Sequence, residues 1–395
     1  MKVFGVIAEF NPFHNGHSYL LCRARAAGYS HCVAVMSGNF VQRGEPAVTE
    51  KRVRALAALH SGADLIIELP VACAAAPARH FAKSAVSLLQ AAGCVNAIAF
   101  GSESGEIEAL RAAADLLEKT ENNGNIKALL AQGHTFARAR SLALEQECSR
   151  DVADLLGTPN NVLAVEYLRA TRELCWNADA LTFRREGAAH DAEITSGGIA
   201  SASYLRGCAN DTETLAKYIP DKAAEIYHSA HESGLWPLDY KLMEAAAFSY
   251  LRRLSRGDLS SLPDLSEGLE DRLYKAIRAA KSYDEMLMLA KTKRYTLARI
   301  RRLALCAFLD IRAEDAVLPP YLRVLGANSK GRELLAVMRQ TAALPLESSL
   351  ARLRGHSDIC RQFAEAEERA GDLYTAALPR PQACGYDYTA PAIFI

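Results

Sequence analysis

The first hundred residues alternate short apolar runs with segments of helical periodicity, and this alternation constrains the fold more than any other feature. Strands that are separated by helices join in parallel, and helices then cover both faces of the sheet. We therefore predict an α/β fold with a Rossmann-like parallel sheet. The predicted strands cover residues 3–8, 31–36, 64–69, 97–101 and 180–185, and the first predicted helices cover residues 17–27, 49–61 and 81–92.

The pattern changes twice along the chain. Residues 105–155 are charged and rich in alanine, which indicates a helical insertion within a first domain, residues 1–210. After about residue 210, leucine and alanine recur at helical spacing and strand-like runs almost vanish. We expect residues 211–395 to form a mainly α-helical second domain. Its apolar tail, residues 386–395, could return to pair with another part of the protein.

Composition excludes several classes of protein. Half of the 395 residues are hydrophobic, but no apolar run reaches the roughly 20 residues of a membrane span. The N-terminus lacks the pattern of a secretory signal. The ten cysteines form no CxxC pair, which favours reduced thiols in a cytoplasmic protein over disulfides or a zinc site. The formal net charge is zero, so a nucleic-acid binder would need a local basic surface.

A His-Asn-Gly-His sequence follows the first predicted strand. His14 and His17 stand three residues apart at a predicted helix start, so they lie on nearly one face. Free N–H groups and the positive end of the helix dipole attract phosphate there, and Gly16 lets a phosphate approach the backbone. Because no GxxxxGK[ST] or post-strand GxGxxG motif is present, we predict that this segment holds nucleotide phosphates. The alternative is two surface histidines at a helix cap.

Two further segments are candidates for the same site. Gly101 follows a predicted strand, where ligands of open α/β sheets bind, and could let an adenine or ribose approach the backbone. A simple turn is the alternative. Ser201 and Ser203 stand at a predicted helix start, and Arg206 about one turn further on could neutralise departing pyrophosphate. An ordinary serine cap with a solvated arginine is the alternative there.

An arginine pair and an asparagine pair complete the candidates. Arg184 and Arg185 end a predicted strand, and Asn160 and Asn161 start a predicted helix. Adjacent strand residues point to opposite faces, so we expect only one arginine to face a ligand. Solvated charge and a capping asparagine are the alternative.

Two more segments suggest contacts with a substrate. Residues 36–45 are polar, contain glycine and follow the second strand, so they form either a wall for the acceptor substrate or a plain loop. Lys51, Arg52 and Arg54 open a predicted helix, where basic residues oppose the dipole. Positive charges at this unfavourable position suggest that an anionic partner binds them.

Five motifs in order now make the chain recognisable. It resembles the tRNA(Met) cytidine acetate ligase family, of the HxGH nucleotidylyltransferase superfamily, through about residue 206. The resemblance rests on Gly5-Val-Ile-Ala-Glu-Phe-Asn-Pro-Phe-His-Asn-Gly-His17, Met36-Ser-Gly-Asn-Phe-Val-Gln-Arg-Gly-Glu-Pro-Ala47, Ala63-Asp-Leu-Ile-Ile-Glu-Leu-Pro70, Phe100-Gly-Ser-Glu103 and Pro159-Asn-Asn161.

The resemblance implies an ATP-dependent ligase that uses free acetate and forms N4-acetylcytidine at the wobble position of elongator tRNA(Met). Residues 1–210 would be the ATP-binding catalytic domain, and residues 211–395 would bind tRNA. Acetate is a poor acyl donor, so its attack on the α-phosphate of ATP would first give acetyl-adenylate and pyrophosphate. Mg²⁺ would be bound through the phosphates of ATP, with no protein metal site and no prosthetic group.

The predicted ATP site combines two sets of residues, with His14 and His17 as its catalytic pair. The resemblance implies Ile7, Ala8, Glu9, Phe10, Asn11, Pro12, Phe13, His14, Asn15, Gly16, His17, Ser18, Tyr19, Leu20, Gly101, one of Asn160 and Asn161, and Arg184. The reasoning from the residues adds Arg185, Ser201, Ser203 and Arg206. Ala202 interrupts the serine and threonine run that the superfamily often carries, so one hydroxyl is missing.

The tRNA contact is predicted on the strongest basic stretch, which contains no acidic residue. It comprises Lys291, Lys293, Arg294, Arg299, Arg301 and Arg302, with Tyr295 able to stack on a base. A solvated helix face is the alternative. For the whole chain, one alternative function is a nucleotidylyltransferase that adenylylates a small phosphorylated metabolite. Another is a non-catalytic RNA-binding protein with a relict nucleotide site.

Overall fold

The computed structural model describes residues 1–122, 125–132, 134, 139, 142, 155–185, 199–266 and 268–395. The strands are β1 (Val3–Ala8), β2 (His31–Ser37), β3 (Phe40–Val41), β4 (Glu45–Pro46), β5 (Leu65–Leu69), β6 (Ala97–Ser102), β7 (Asp179–Arg184), β8 (Leu322–Ala327), β9 (Leu346–Glu347) and β10 (Ile393–Phe394). The helices of the first half are α1 (Asn15–Ala26), α2 (Lys51–His60), α3 (Val71–Ala74), α4 (Ala78–Ala91), α5 (Ile107–Asn122), α6 (Asn125–Ala131), α7 (Pro159–Glu173) and α8 (Ala202–Gly207). The later helices are α9 (Thr212–Ala216), α10 (Asp221–Glu232), α11 (Tyr240–Leu251), α12 (Arg256–Ser260), α13 (Leu269–Ala279), α14 (Tyr283–Ala290), α15 (Leu297–Phe308), α16 (Ser329–Thr341), α17 (Leu350–Arg354), α18 (Asp358–Thr375) and α19 (Tyr386–Thr389).

Five parallel strands form the centre of the main sheet, in the order β5-β2-β1-β6-β7. The chain starts in the middle at β1, runs outward through β2 and β5, and then crosses to β6 and β7 on the other side. The order therefore reverses between β1 and β6, and ligands of open α/β sheets bind at such a point. The predicted α/β fold with a Rossmann-like parallel sheet is confirmed.

Helices cover both faces of this sheet, as the buried strands require. Alternate residues of β2 belong to two separate cores: Val33 and Val35 to one, Ala34 and Met36 to the other. Helix α4 packs on the first face and helices α1 and α2 pack on the second. The first core continues without a break into the helices of the second half, so the two halves share one apolar interior.

Strand β8 was not predicted. It is an apolar run whose six residues are all buried, and it adds to the sheet antiparallel to β5. Short apolar runs do not distinguish a strand from a buried helical segment, and helical patterns surround this one. β10 pairs in parallel with β8, so the predicted return of the tail is confirmed. The second half thus contributes strands to the sheet of the first half.

A buried charge cluster joins the two halves. The Lys51 ammonium lies 2.6 Å from Glu68 of β5 and 2.7 Å from Asp387 of α19. Arg323 of β8 lies 2.7 Å from both carboxylates. Each charge has an opposite partner at hydrogen-bonding distance, which offsets the cost of removing it from water. Glu367 of α18 adds a third carboxylate to this cluster.

The other two basic residues of α2 are buried as well. Arg52 pairs with Glu50 at 3.0 Å and with Asp387 at 2.9 Å. Arg54 donates to backbone carbonyls of Thr49 and of the β2–β3 turn. The interpretation of the basic start of α2 as a contact with an external anionic partner is therefore wrong. These positive charges complement groups within the protein.

The predicted insertion lies partly beyond the described residues. Helices α5 and α6 stand in its first part, and residues 123–124, 133, 135–138, 140–141 and 143–154 are outside the described ranges, as are residues 186–198. Among the described helices, none has the length and apolarity needed to cross a membrane.

Candidate active site

A cavity of about 590 Å³ opens beyond the carboxyl ends of β1, β6 and β7. Ile7 and Ala8 of β1, Gly101 of β6 and Arg184 of β7 reach it from the sheet. Helices α1, α7 and α8 supply further lining residues. The cavity occupies the point where the strand order reverses, so the topology alone marks it as a ligand site.

The His-Asn-Gly-His segment forms the start of α1 as a reciprocal cap. His14 is the N-cap residue, and its Nδ1 accepts a hydrogen bond from the Gly16 N–H at 3.1 Å. The Nδ1 of His17 accepts from the His14 N–H at 3.2 Å. Each imidazole therefore satisfies one of the N–H groups that a helix start leaves without an intrahelical partner. Both rings line the cavity.

Both histidines are held neutral. Burial, and then the positive charges of Arg185 and Arg206, lower the pKa of His14 to about 3. Burial, followed by His14 and Arg185, lowers the pKa of His17 well below its usual value. Because Nδ1 accepts a backbone hydrogen bond in each ring, we assign the single proton to Nε2. Each neutral ring thus keeps one N–H donor for a ligand.

Close packing fixes the orientation of the two rings. Their centroids lie 3.8 Å apart, and the Phe10 ring meets the His17 ring edge-on at 5.0 Å. Phe10 has a φ of +45°, an uncommon value for a residue with a side chain, and it turns the chain sharply out of β1. A Cβ on Gly16 would lie 2.9 Å from Cε1 of His14. Gly16 therefore leaves room for that ring, a role that the sequence did not reveal.

Arg206 connects α8 to the loop that precedes α1. Its guanidinium donates to the Asn11 carbonyl at 3.0 Å and to the Ser203 hydroxyl at 3.1 Å. Ser201 caps α8 by accepting from the Tyr204 N–H at 3.1 Å. The serine-cap alternative is thus correct for Ser201, yet both serines and Arg206 also line the cavity. Since each hydroxyl oxygen accepts here, its proton remains available to a ligand.

The asparagine pair divides into two roles. Asn160 lines the cavity, whereas Asn161 is buried and its side chain accepts from the Ser104 N–H at 3.2 Å. Glu103 accepts from the backbone N–H groups of both asparagines, at 3.2 and 2.7 Å, and so caps the start of α7. Partial burial acts to raise the pKa of Glu103, but the hydrogen bond that the Asn160 side-chain amide donates at 2.7 Å, together with the backbone N–H groups, lowers it overall.

Both arginines at the end of β7 line the cavity, and the expectation that only one of them faces a ligand stays a prediction. β7 ends at Arg184, and strand alternation does not extend to Arg185. A Cβ on Gly101 would lie 3.2 Å from Cγ of Arg185. The stem of Arg185 thus lies close to Gly101, which still lines the cavity, and the approach of an adenine or ribose to this glycine stays a prediction. Arg185 also donates to Asn160 at 3.4 Å.

The structure brings most of the predicted ATP-site residues to the cavity. Its lining includes Ile7, Ala8, Glu9, Phe10, Asn11, His14, His17, Leu20, Gly101, Asn160, Arg184, Arg185, Ser201, Ser203 and Arg206. Outside this lining lie Pro12, Phe13, Asn15, Gly16, Ser18, Tyr19 and Asn161. The helical period explains part of this division, since His17 and Leu20 share one face of α1 and the residues between them turn away.

Several lining residues were not predicted as part of the ATP site. They include Gln42 and Arg43 of the β3–β4 turn, Glu103, and Tyr167 of α7. Glu103 and Arg43 stood inside motifs that carried the family resemblance, so their place in those motifs was the available signal. Tyr167 sits in an ordinary helical pattern, which offered none.

Comparison with known proteins agrees with this geometry. A family model described as HIGH Nucleotidyl Transferase matches residues 1–387. A tRNA(Met) cytidine acetate ligase of Thermoanaerobacter sp. (strain X514) is 37% identical over 402 residues, covering 100% of both chains. One of Acetivibrio thermocellus is 33% identical over 415 residues, again covering 100% of both.

The chain belongs to the tRNA(Met) cytidine acetate ligase family.

Solved structures of this family extend the match to the fold. The apo crystal structure of Thermotoga maritima TmcAL has a TM-score of 0.94 at 33% identity and full coverage of both chains. The structure of the same protein bound with alpha-thio ATP has a TM-score of 0.92 at 33% identity, covering 100% of this chain and 99% of that one. The family resemblance seen in the sequence is therefore confirmed.

The predicted tRNA-binding stretch of this family member is only partly open. Lys291, Lys293 and Arg294 are exposed. Arg299 pairs with Asp264 at 3.2 Å, and Arg302 lies 3.8 Å from the same carboxylate.

Arg301 and Tyr295 of the stretch also contact other parts of the protein. Arg301 pairs with Glu45 of β4. Tyr295 is 6% exposed, so the prediction that its ring stacks on a base is wrong. Three of the predicted arginines thus already have acidic partners inside the protein.

Proposed function

We propose that this protein is an ATP-dependent ligase that activates acetate as acetyl-adenylate and transfers the acetyl group to N4 of the wobble cytidine of elongator tRNA(Met). The observation that carries the proposal is the pair of neutral imidazoles at the start of α1, in a cavity at the reversal point of the sheet. The full-length match to ligases of that name, one at 37% identity, supports the choice of reaction.

The chemistry needs positioning and charge stabilisation more than covalent help. A carboxylate oxygen of acetate attacks the α-phosphorus of ATP, the bond to the bridging oxygen breaks, and pyrophosphate leaves. The Nε2–H donors of His14 and His17 and the positive end of α1 then stabilise the charge that develops on the phosphate oxygens. Ser201, Ser203 and Arg206 bind the β- and γ-phosphates.

The second step takes place at the acetyl carbonyl and not at a phosphorus atom. The N4 amine of cytidine attacks the acetyl carbonyl, the bond to the phosphate of AMP breaks, and the N4 proton passes to solvent. We propose that the exposed cations of the basic stretch, Lys291, Lys293 and Arg294, guide the RNA to this side of the protein. Residues 1–210 supply the ATP site in this scheme, and residues 211–395 supply the tRNA contacts.

Mg²⁺ enters this scheme on the phosphates of ATP. The acidic residues in the lining, Glu9 and Glu103, accept hydrogen bonds from the Gln42 N–H and from the start of α7. The one group of three carboxylates found within the described residues is neutralised by Lys51 and Arg323, away from the cavity. A magnesium ion with few or no protein ligands suits these surroundings, since Mg²⁺ is commonly held by substrate phosphates and water.

The direct test is incubation of the protein with ATP, labelled acetate and bulk tRNA, followed by digestion to nucleosides. Label is expected in N4-acetylcytidine, only when ATP is present, and only in the tRNA that carries the methionine elongator anticodon. A reaction without ATP is the matched control. Label absent from acetylcytidine, with turnover of a phosphorylated metabolite instead, would show that the protein is a different nucleotidylyltransferase.

A further inference from the structure

A second cavity of about 310 Å³ lies beside the first, and Arg206 lines both. It is enclosed by the β3–β4 hairpin on one side and by α11, α14 and α15 of the second half on the other. The hairpin belongs to the segment that the sequence marked as a possible wall for the acceptor. None of the phosphate-site features described above requires this cavity.

The walls of the second cavity are aromatic. Tyr240 of α11 and Tyr283 of α14 line it with half-buried rings that keep surface for a flat ligand, and the buried rings of Phe40 of β3 and Phe308 of α15 complete the apolar lining. Aromatic rings stack on nucleobases whatever their identity, and single-stranded RNA is commonly bound with its bases unstacked onto such rings. The Tyr240 hydroxyl is buried and has no hydrogen-bond partner among the described atoms. A polar atom in that state indicates a missing partner such as a ligand.

The charged groups of this cavity select against an anion. Glu45, Glu244 and Asp284 contribute three carboxylates to its lining. One of its two guanidinium groups, Arg301, is paired with Glu45, and the other, Arg206, donates to Asn11 and Ser203 in the first cavity. Burial, followed by the charge of Asp284, raises the pKa of Glu244, so no cation nearby fully compensates this carboxylate.

We infer that this second cavity receives the unstacked cytosine base, with Glu244 accepting a hydrogen bond from its N4 amine. The inference rests on the proposed function. A neutral flat ring that carries an amino donor fits aromatic walls and an acidic group, whereas acetate or phosphate would be repelled. Carboxylates recognise the cytosine N4 amine in the same way elsewhere, and the uracil O4 acceptor has no donor to offer them. Arg206, shared by both cavities, then marks where the base meets the activated acetate.

The first test separates the two half-reactions. In Glu244→Ala and in Ala247→Phe, which fills the cavity from α11, acetate-dependent exchange of pyrophosphate into ATP should remain at the wild-type rate. Single-turnover transfer of acetate from the adenylate to tRNA should fall by about 10- to 100-fold, the range of one good base contact. Retained exchange shows that both variants fold. Glu213→Gln removes an exposed carboxylate outside both cavities and should change neither step.

The second test measures recognition of the base by tRNA binding alone, without catalysis. Replacing the acceptor cytidine of the tRNA by uridine should weaken binding to the wild-type protein, and the weakening should be smaller in Glu244→Ala. Full transfer and undiminished discrimination in Glu244→Ala would overturn the inference, and so would a changed KM for acetate in the exchange reaction. If the wild-type protein forms no acetylcytidine at all, the proposed function fails and the inference fails with it.

Discussion

Replacing His14 by two different residues separates its structural role from its chemical role. His14 accepts the Gly16 N–H as the N-cap of α1, and it presents Nε2–H to the cavity. Alanine removes both functions, whereas asparagine is among the best N-cap residues and removes only the imidazole. The two variants therefore form a matched pair at a single position.

The magnitudes follow from these two contacts. Loss of the cap in His14→Ala should lower the free energy of unfolding by about 1 kcal/mol relative to His14→Asn. Loss of the phosphate donor should slow acetate-dependent pyrophosphate exchange by about 10²–10³ in both variants, equivalent to about 2.7–4 kcal/mol of transition-state stabilisation. The assays are urea denaturation and exchange of labelled pyrophosphate into ATP. Affinity for tRNA should not change.

Two results would refute this reasoning. If His14→Asn restores exchange together with stability, the imidazole serves only as a helix cap. If tRNA affinity falls in parallel with exchange, the histidine contacts RNA and its assignment to the phosphate site is wrong.

Three further predictions follow from the same structure. The pKa of His14 is lowered to about 3, so below about pH 6.5 the unfolded chain protonates this ring while the folded state keeps it neutral. The free energy of unfolding should therefore fall as the pH is lowered from about 6.5 toward 3. Urea denaturation at pH 7.5 and at pH 5 measures the difference. Asp387→Ala leaves Lys51 and Arg323 with fewer buried partners and should lower the free energy of unfolding by about 3–5 kcal/mol in urea titration. Asp387→Asn keeps the shape of the side chain but not its charge, so its loss of stability should be only slightly smaller. Gly16→Ala places a Cβ 2.9 Å from the His14 ring and should depress pyrophosphate exchange while stability changes little; unchanged exchange would show that the ring can move without loss.

The predictions that succeeded depended on local pattern. β1, β2, β5 and β6 were recognisable because buried parallel strands are continuous apolar runs. The position of the histidines after β1 was sufficient to place them at the carboxyl edge of a parallel sheet. β8 was not predicted because a run of six residues between helical segments is too short to show a strand or helix periodicity. Only its antiparallel pairing with β5 identifies it as a strand.

The predictions that failed depended on partners distant in sequence. Lys51 lies 336 residues from Asp387 in the sequence. The positive charge of Lys51 at a helix start therefore suggested an external anion, because no local pattern revealed that the Asp387 carboxylate is its partner. Tyr295 and Arg301 stood in a basic segment that looked solvated, but packing buries the first and pairs the second with Glu45. Charge patterns along a chain do not reveal which side chains tertiary packing brings into contact.

The sequence by itself determined the class of sheet, the position of the two histidines at the start of α1 and the family, because strand periodicity, helix capping and short motifs are properties of neighbouring residues. Tertiary structure decided the rest. It lowered the pKa of both histidines by desolvating them beside Arg185, it turned Asn161 inward and Asn160 outward, and it enclosed a second cavity between halves of the chain. Desolvation of a side chain and its proximity to other charges arise only when residues far apart in sequence are packed together. A local sequence pattern therefore could not predict these effects.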